Sequence, residues 1–288
     1  MRGIPDVVQR ELRIDKQARG VRPAVRTLRY STLPTAVRYG LTLLVMLAIW
    51  QAYVTIAHVS PLLVVAPAAV LQSVWKDLID GQIPAATAIT LRTLLIGIGF
   101  GATLGFVFAS FAVFSIVGRD VLAVLTAVLN PLPAIAILPL AMIWFGLTPT
   151  SIVFVVALAT IWPVAINVDA GFRTVSPTLQ MVARNLGLRG PRLVLDVLIP
   201  AAMPHMLTGL KTAWAFGWRT VVAAELVFGA AGSAGGLGWY INNARYYLLT
   251  AQIFGGLLVI SILGILVESL FGIVERRTIV KWGMTRAK

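Results

Sequence analysis

A chain of 288 residues that is 58% hydrophobic and 12% charged, with a mean hydropathy of +0.88, carries more apolar surface than a soluble fold of that length can bury and reads as an all-α polytopic membrane protein. The absence of cysteine excludes disulfides, thiolate metal sites and cysteine nucleophiles, and the two histidines, His58 and His205, stand too far apart in sequence to suggest a metal cluster. The net charge of +13 would raise nucleic-acid binding in a soluble protein, but here the charges sort onto the flanks of apolar segments, and no nucleic-acid partner is expected.

Residues 1–38 hold nine Lys/Arg. The stretch is too long and too basic for a signal peptide and is read as a cytoplasmic arm lying against anionic membrane lipid. Six transmembrane helices follow, taken as runs of about 20 uncharged residues, the length at which a helix crosses a hydrocarbon core of about 30 Å. They are placed at 39–57, 89–117, 121–145, 150–170, 206–228 and 252–274, the fifth interrupted by Lys211, Arg219 and Glu225. No charge lies between Val121 and Val168, too long a run for one span, so Gly146-Leu-Thr-Pro149 is read as an external turn.

With both termini inside, the arm, a loop at Arg119, a loop at 173–204 and the tail at 275–288 hold 19 of the 24 Lys/Arg, as the preference of basic residues for the cytoplasmic side requires. The external loop 58–88 contains an amphipathic helix over 67–81, with Val70, Leu71, Val74, Trp75 and Leu78 on its apolar face and Gln72, Lys76, Asp77 and Asp80 elsewhere. Gly97, Gly101 and Gly105 give the second span a smooth face for close helix packing.

The polar interruption at 173–204 is well punctuated. Ser176-Pro177 is an N-cap and first-turn pair, the helix it opens runs to about Leu186, and Gly187 suits a left-handed C-terminal cap. Gly190-Pro191 then starts a second short helix with Leu193, Val194, Val197 and Leu198 as its apolar edge, bounded by Pro200 and Pro204. Arg184, Arg189 and Arg192 lie near the junction. The glycine-rich loop 229–238 lacks the Lys-Ser/Thr ending of a phosphate-binding loop and is read as a flexible or re-entrant gate loop; no such ATP-binding motif occurs elsewhere.

Charges within spans are functional candidates because each costs several kcal/mol unless paired or hydrated. Arg92, Lys211, Arg219, Glu225 and Glu268 qualify. Arg92 and Lys211 lie near span ends, from which they can snorkel. Arg219 is closer to mid-span and is expected to face the pathway or a buried partner. Glu225 is six residues on, on a different helix face, so the two are not expected to pair locally.

The spacing of Ala183, Gly187, Val197 and Ile199-Pro200 resembles the cytoplasmic coupling motif of binding-protein-dependent ABC importer permeases. Asn130-Pro-Leu-Pro133, the segment 139–146 with Trp144, Trp162-Pro163 with Asn167 and Gly171, and the segment from Gly209 through Glu225 are similar to the nitrate/sulfonate/taurine branch of that family. The resemblance covers roughly residues 60 to 275. Met181 stands where the family usually has Glu, and Val182 replaces the first Ala of its triplet, so an acidic contact to the partner is missing or supplied by another residue.

The resemblance implies a type I ABC importer transmembrane domain in a bacterial plasma (inner) membrane. It also implies a translocation pathway for a small solute, with Arg219, Glu225, Lys211, Arg92 and Trp144 as pathway candidates, and a coupling loop containing Met181, Val182, Ala183, Arg184, Gly187, Arg189, Val197, Ile199 and Pro200. Small residues in that loop are expected to let it seat in a cleft of a cytoplasmic ABC ATPase subunit. That subunit would bind ATP and Mg, so no cofactor is expected in this chain. An external solute-binding protein and a second permease copy, forming a homodimer, complete the implied assembly. The alternative is an ion-driven secondary transporter, for which internal repeats and ionisable residues grouped at the midplane are not evident. An intramembrane enzyme finds no H-E-x-x-H, no G-x-S-x-G and no paired carboxylates, and a passive channel would need no ATPase at all.

Overall fold

A computed structural model of the chain describes residues 34–228 and 235–277; most of the basic arm, most of the tail and positions 229–234 of the glycine-rich loop lie outside the described residues. These form helices and turns without a β-strand. By its contacts the chain divides into one unit ending at Tyr53 and a second from Val54 onward. The first is carried by α1 (Thr35–Ile56), an uncharged helix after Arg38 with no buried residue.

The second unit runs through α2 (Pro67–Ile79), α3 (Gln82–Phe114), α4 (Ile116–Leu129), α5 (Leu138–Phe145), α6 (Pro149–Thr174), α7 (Pro177–Asn185), α8 (Pro191–Phe228), α9 (Leu237–Tyr246) and α10 (Thr250–Glu275). Among the described residues, α1, α3, α6, α8 and α10 are each long and apolar enough to cross a membrane, and α4 with the segment Ala134–Phe145, bent between them, makes six if the pair counts as one broken span.

Several expected boundaries shift. The second span begins at Gln82 rather than Ile89, shortening the external loop, and ends at Phe114. Arg119 is therefore not in a loop: the turn is at Ser115, whose hydroxyl accepts from the Gly118 amide at 3.3 Å and caps α4, placing Arg119 on the first turn of that helix. The third span is not a continuous helix. It bends by 87° between α4 and the segment that ends in α5, because Asn130-Pro-Leu-Pro133 places two prolines where a helix needs amide donors.

The core of this unit is built on α3, α6 and α8. A Cβ added at Gly97 would sit 2.5 Å from Val156 Cγ1, and one at Gly105 would sit 2.5 Å from the Ile161 carbonyl oxygen. The glycine face of α3 is thus in backbone contact with α6, the close approach that a small-residue stripe permits. From the other side, Gly171 accommodates Ala202 and His205, and Gly209 accommodates Asn167. The Asn167 amide donates to the Pro163 carbonyl at 2.8 Å, bridging the turn that follows the proline.

Helix α2 is amphipathic with a different buried face from the one its pattern suggests. Val70 and Asp77 are buried, seven residues apart on one stripe, while Leu71, Trp75 and Leu78 are exposed. Asp77 Oδ2 accepts from the Tyr240 hydroxyl and, at 3.1 Å, from Gln252 Nε2, tying α2 to α9 and α10. Burial and the Asp77 carboxylate together push the Tyr240 phenol well above its ordinary value.

Candidate functional site

The loop after α6 folds from local signals. Ser176 Oγ accepts from the Leu179 amide at 3.3 Å, and Pro177 occupies the first turn of α7, where its missing N–H costs nothing. At the other end the Gly187 amide donates to the Arg184 carbonyl and the Leu188 amide to the Ala183 carbonyl, both at 3.0 Å, the paired bonds of a Schellman cap. The motif requires a left-handed residue, and Gly187 has φ of 84°.

Two expectations for this loop change. Pro200 and Pro204 do not end a separate short helix: α8 runs from Pro191 to Phe228 through a π-helical stretch at Val194–Leu198. That wider turn lies immediately before Pro200, where the helix lacks an amide donor, and Thr208 Oγ1 donates to the Pro204 carbonyl at 3.1 Å. Secondly, Ala183 is not a docking residue on the surface. It is 3% exposed and packs with Leu193, Val194 and Leu198 in a cluster that includes Phe172 and Val175.

The outward apolar surface comes instead from Leu179, Met181, Val182 and Leu186, with Met181 58% exposed. Arg184, Gly187 and Arg189 are exposed beside it, Val197 and Ile199 pack partly against the buried cluster, and Pro200 is exposed. The loop is consequently a knob packed on one side and exposed on the other. Its inner face is continuous with the packing of α6 and α8, and its outer face presents aliphatic side chains flanked by guanidinium groups.

A second feature lies at the bend between α4 and α5. A cavity of about 350 Å³ is walled by the broken segment from Leu129 to Ile137, by Leu158 and Trp162 of α6, and by Phe216, Arg219 and Thr220 of α8. Arg219 is exposed and is the one charged residue on its wall. The Trp162 indole N–H is buried with no acceptor among the described residues.

Glu225 is elsewhere. It is 4% exposed and does not line this cavity. Both its oxygens lie 2.9 Å from Thr90 Oγ1, and Oε2 accepts from the Gly238 amide at 2.9 Å. Thr90 Oγ1 in turn accepts from the Leu237 amide at 2.8 Å, so two open amides at the start of α9 are satisfied by side chains from α3 and α8. Arg92 faces a separate groove with Thr148 and Phe100, Lys211 shares a crevice with Phe271 and Glu275, and Trp144 is exposed with its ring edge-on to Phe154. Glu268 is exposed on α10.

Sequence reading did not find Thr90, a hydroxyl inside an apolar run, nor the Asp77, Tyr240 and Gln252 network. Asp77 left one signal: it falls seven residues after Val70, on the same stripe of α2.

Residues 97–280 match the family described as binding-protein-dependent transport system inner membrane component. The chain is 29% identical to the putative aliphatic sulfonates transport permease protein SsuC of Bacillus subtilis, over 92% of this chain and 96% of that protein. It is 30% identical to the taurine transport system permease protein TauC of Escherichia coli, covering 82% and 86% of the two chains. To the nitrate import permease protein NrtB of Leptolyngbya laminosa it is 27% identical, over 88% and 90%. The fold is similar to that in the crystal structure of an amino acid ABC transporter with histidines, with TM-score 0.53 and 20% identity over 69% of this chain and 94% of that one. The ion-driven alternative and the enzyme reading both give way to these likenesses: the chain belongs to the binding-protein-dependent inner membrane components and is a multi-pass permease subunit of an ABC importer.

Proposed function

We propose that this permease forms the pathway for a small organic or inorganic anion, of the sulfonate, taurine or nitrate kind named for its relatives, and that residues 176–200 couple it to a separate cytoplasmic ATPase. ATP and Mg are held by that partner, since the chain has no phosphate-binding loop of its own. An external binding protein delivers the solute, a second copy of the chain completes a homodimer, and both termini face the cytoplasm, in keeping with the distribution of Lys and Arg.

The observation that carries this reading is the two-faced construction of α7. Leu179, Met181, Val182 and Leu186 are exposed to a soluble partner, with Met181 and Val182 turned farthest from Ala183, and Ala183 itself is locked into the cluster shared with Phe172 and Leu198. Displacement of the patch therefore moves the ends of α6 and α8 together, because close-packed interiors transmit strain. The test is an affinity pull-down of the tagged full chain from gently solubilised membranes. Recovery of an ATPase carrying a phosphate-binding loop, lost in Met181→Asp with Val182→Asp, is the expected result; a chain that purifies alone and still moves solute in vesicles overturns it.

A further inference from the structure

We infer that the cavity at the α4–α5 bend is an oxoanion site, with Arg219 as the residue that binds the anion in transit; this rests on the pathway reading above and names the group that makes it selective. Arg219 lies within α8, one of the helices able to cross the membrane, and neither an ion pair nor a hydrogen bond engages its guanidinium among the described residues. A cation within a membrane-crossing helix is costly unless it meets water, a counter-charge or a ligand. The cavity supplies the space: about 350 Å³, within the roughly 300–1,000 Å³ typical of small-molecule sites.

The chemistry of the wall fixes the sign of the ligand. No carboxylate lines the cavity, and the acidic group nearest to Arg219 in the same helix, Glu225, is committed to Thr90 and the Gly238 amide. The neutral polar side chains on the wall, Asn130, Thr220 and Trp162, carry donors, and the other side chains there besides Arg219 are apolar. A guanidinium presents parallel N–H donors that match two oxygens of a sulfonate or nitrate, and its charge strengthens those bonds to an anion over the same bonds to a neutral acceptor and repels a cation. The break at Asn130–Pro133 is the second, independent feature. Interrupted spans are tolerated in membranes where the irregular backbone lines a hydrated cavity, and they recur at solute sites of transporters.

The site is tested on the full-length permease in lipid nanodiscs, with ethanesulfonate as anion probe and ethyl methyl sulfone as its neutral counterpart. Ethanesulfonate is expected to give a saturable calorimetric isotherm, weakened about tenfold or more in Arg219→Gln and less in Arg219→Lys, as loss of a charge-assisted pair implies, while the sulfone gives none. Equal binding by wild type and Arg219→Gln, or equal binding of the sulfone, overturns the assignment, as does a wild-type protein that binds neither ethanesulfonate nor nitrate. A readout independent of variant folding is phenylglyoxal modification of the wild type mapped by mass spectrometry: ethanesulfonate protects Arg219 and the sulfone does not, and equal labelling with both counts against the site. Copurification of the ATPase is scored on the same preparations, so a permease that recruits its ATPase but shows no Arg219-dependent binding refutes this inference alone, whereas failure to recruit it refutes the coupling role.

Discussion

Glu225 and Thr90, 135 residues apart in sequence, are held with Thr90 Oγ1 2.9 Å from both carboxyl oxygens. The pair joins α3 to α8 and cradles the Leu237 and Gly238 amides, so the segment following the glycine-rich loop is anchored by side chains of two membrane helices.

Removing either partner leaves a buried group unsatisfied. Glu225→Ala is expected to cost about 1–3 kcal/mol, read as a lower thermal unfolding midpoint of the full chain in detergent, and Thr90→Val to cost less. Because the two act on one network, the double variant should lose less than the sum of the single losses. Strict additivity would show that they are independent.

The glycine face of α3 has no room for a methyl group. Gly105→Ala places its Cβ 2.5 Å from the Ile161 carbonyl oxygen, a backbone atom that cannot rotate away, and overpacking of this kind costs typically about 1–3 kcal/mol. Gly99→Ala, on the same helix with open space around it, should be neutral or slightly stabilising. The comparison is made by thermal unfolding of the two purified variants.

Gly187 is constrained by conformation rather than space, since nothing lies within 4 Å of an added Cβ but φ is 84°. A Gly187→Val variant should lose the Schellman cap at a cost of roughly 1–2 kcal/mol confined to the loop. Membrane insertion is expected to persist while solute-stimulated ATP hydrolysis by the assembled importer is lost. Normal uptake and normal stimulated hydrolysis would argue against coupling through α7.

Tyr240 makes alkaline stability a measurable property of the contact between α2, α9 and α10. Its phenol is raised above the ordinary value of about 10 by burial and by Asp77, so the folded chain keeps a proton that the unfolded chain releases. The associated stability is complete below about pH 10 and declines as pH rises above it. Tyr240→Phe should be less stable at pH 8, through loss of the Asp77 bond, yet show a flatter decline between pH 9 and 11 in thermal unfolding.

The sequence by itself determined those features that depend on a few neighbouring residues. Ser176, Pro177 and Gly187 identify the ends of α7, because caps and breakers act within one turn, and Gly97, Gly101 and Gly105 share a face by helical period alone. The family motifs were equally legible. What tertiary structure decided is which face of each helix turns inward. In a bilayer the lipid tails are as apolar as a protein core, so an apolar stripe such as Leu71, Trp75 and Leu78 carries no signal of burial, and all three are exposed while Asp77 is buried. For the same reason Ala183 reads as surface in a polar loop but belongs to the core, and Pro200 reads as a terminator but lies within α8, where a π-helical stretch absorbs it. The pairing of Thr90 with Glu225, and the placement of Arg219 on a cavity formed by a bend some 90 residues earlier, depend on contacts between distant segments. Those contacts exist only once α3, α6 and α8 have packed, because the buried Glu225 carboxylate takes its hydrogen bonds from Thr90 of α3 and Gly238 of α9, not from its own helix.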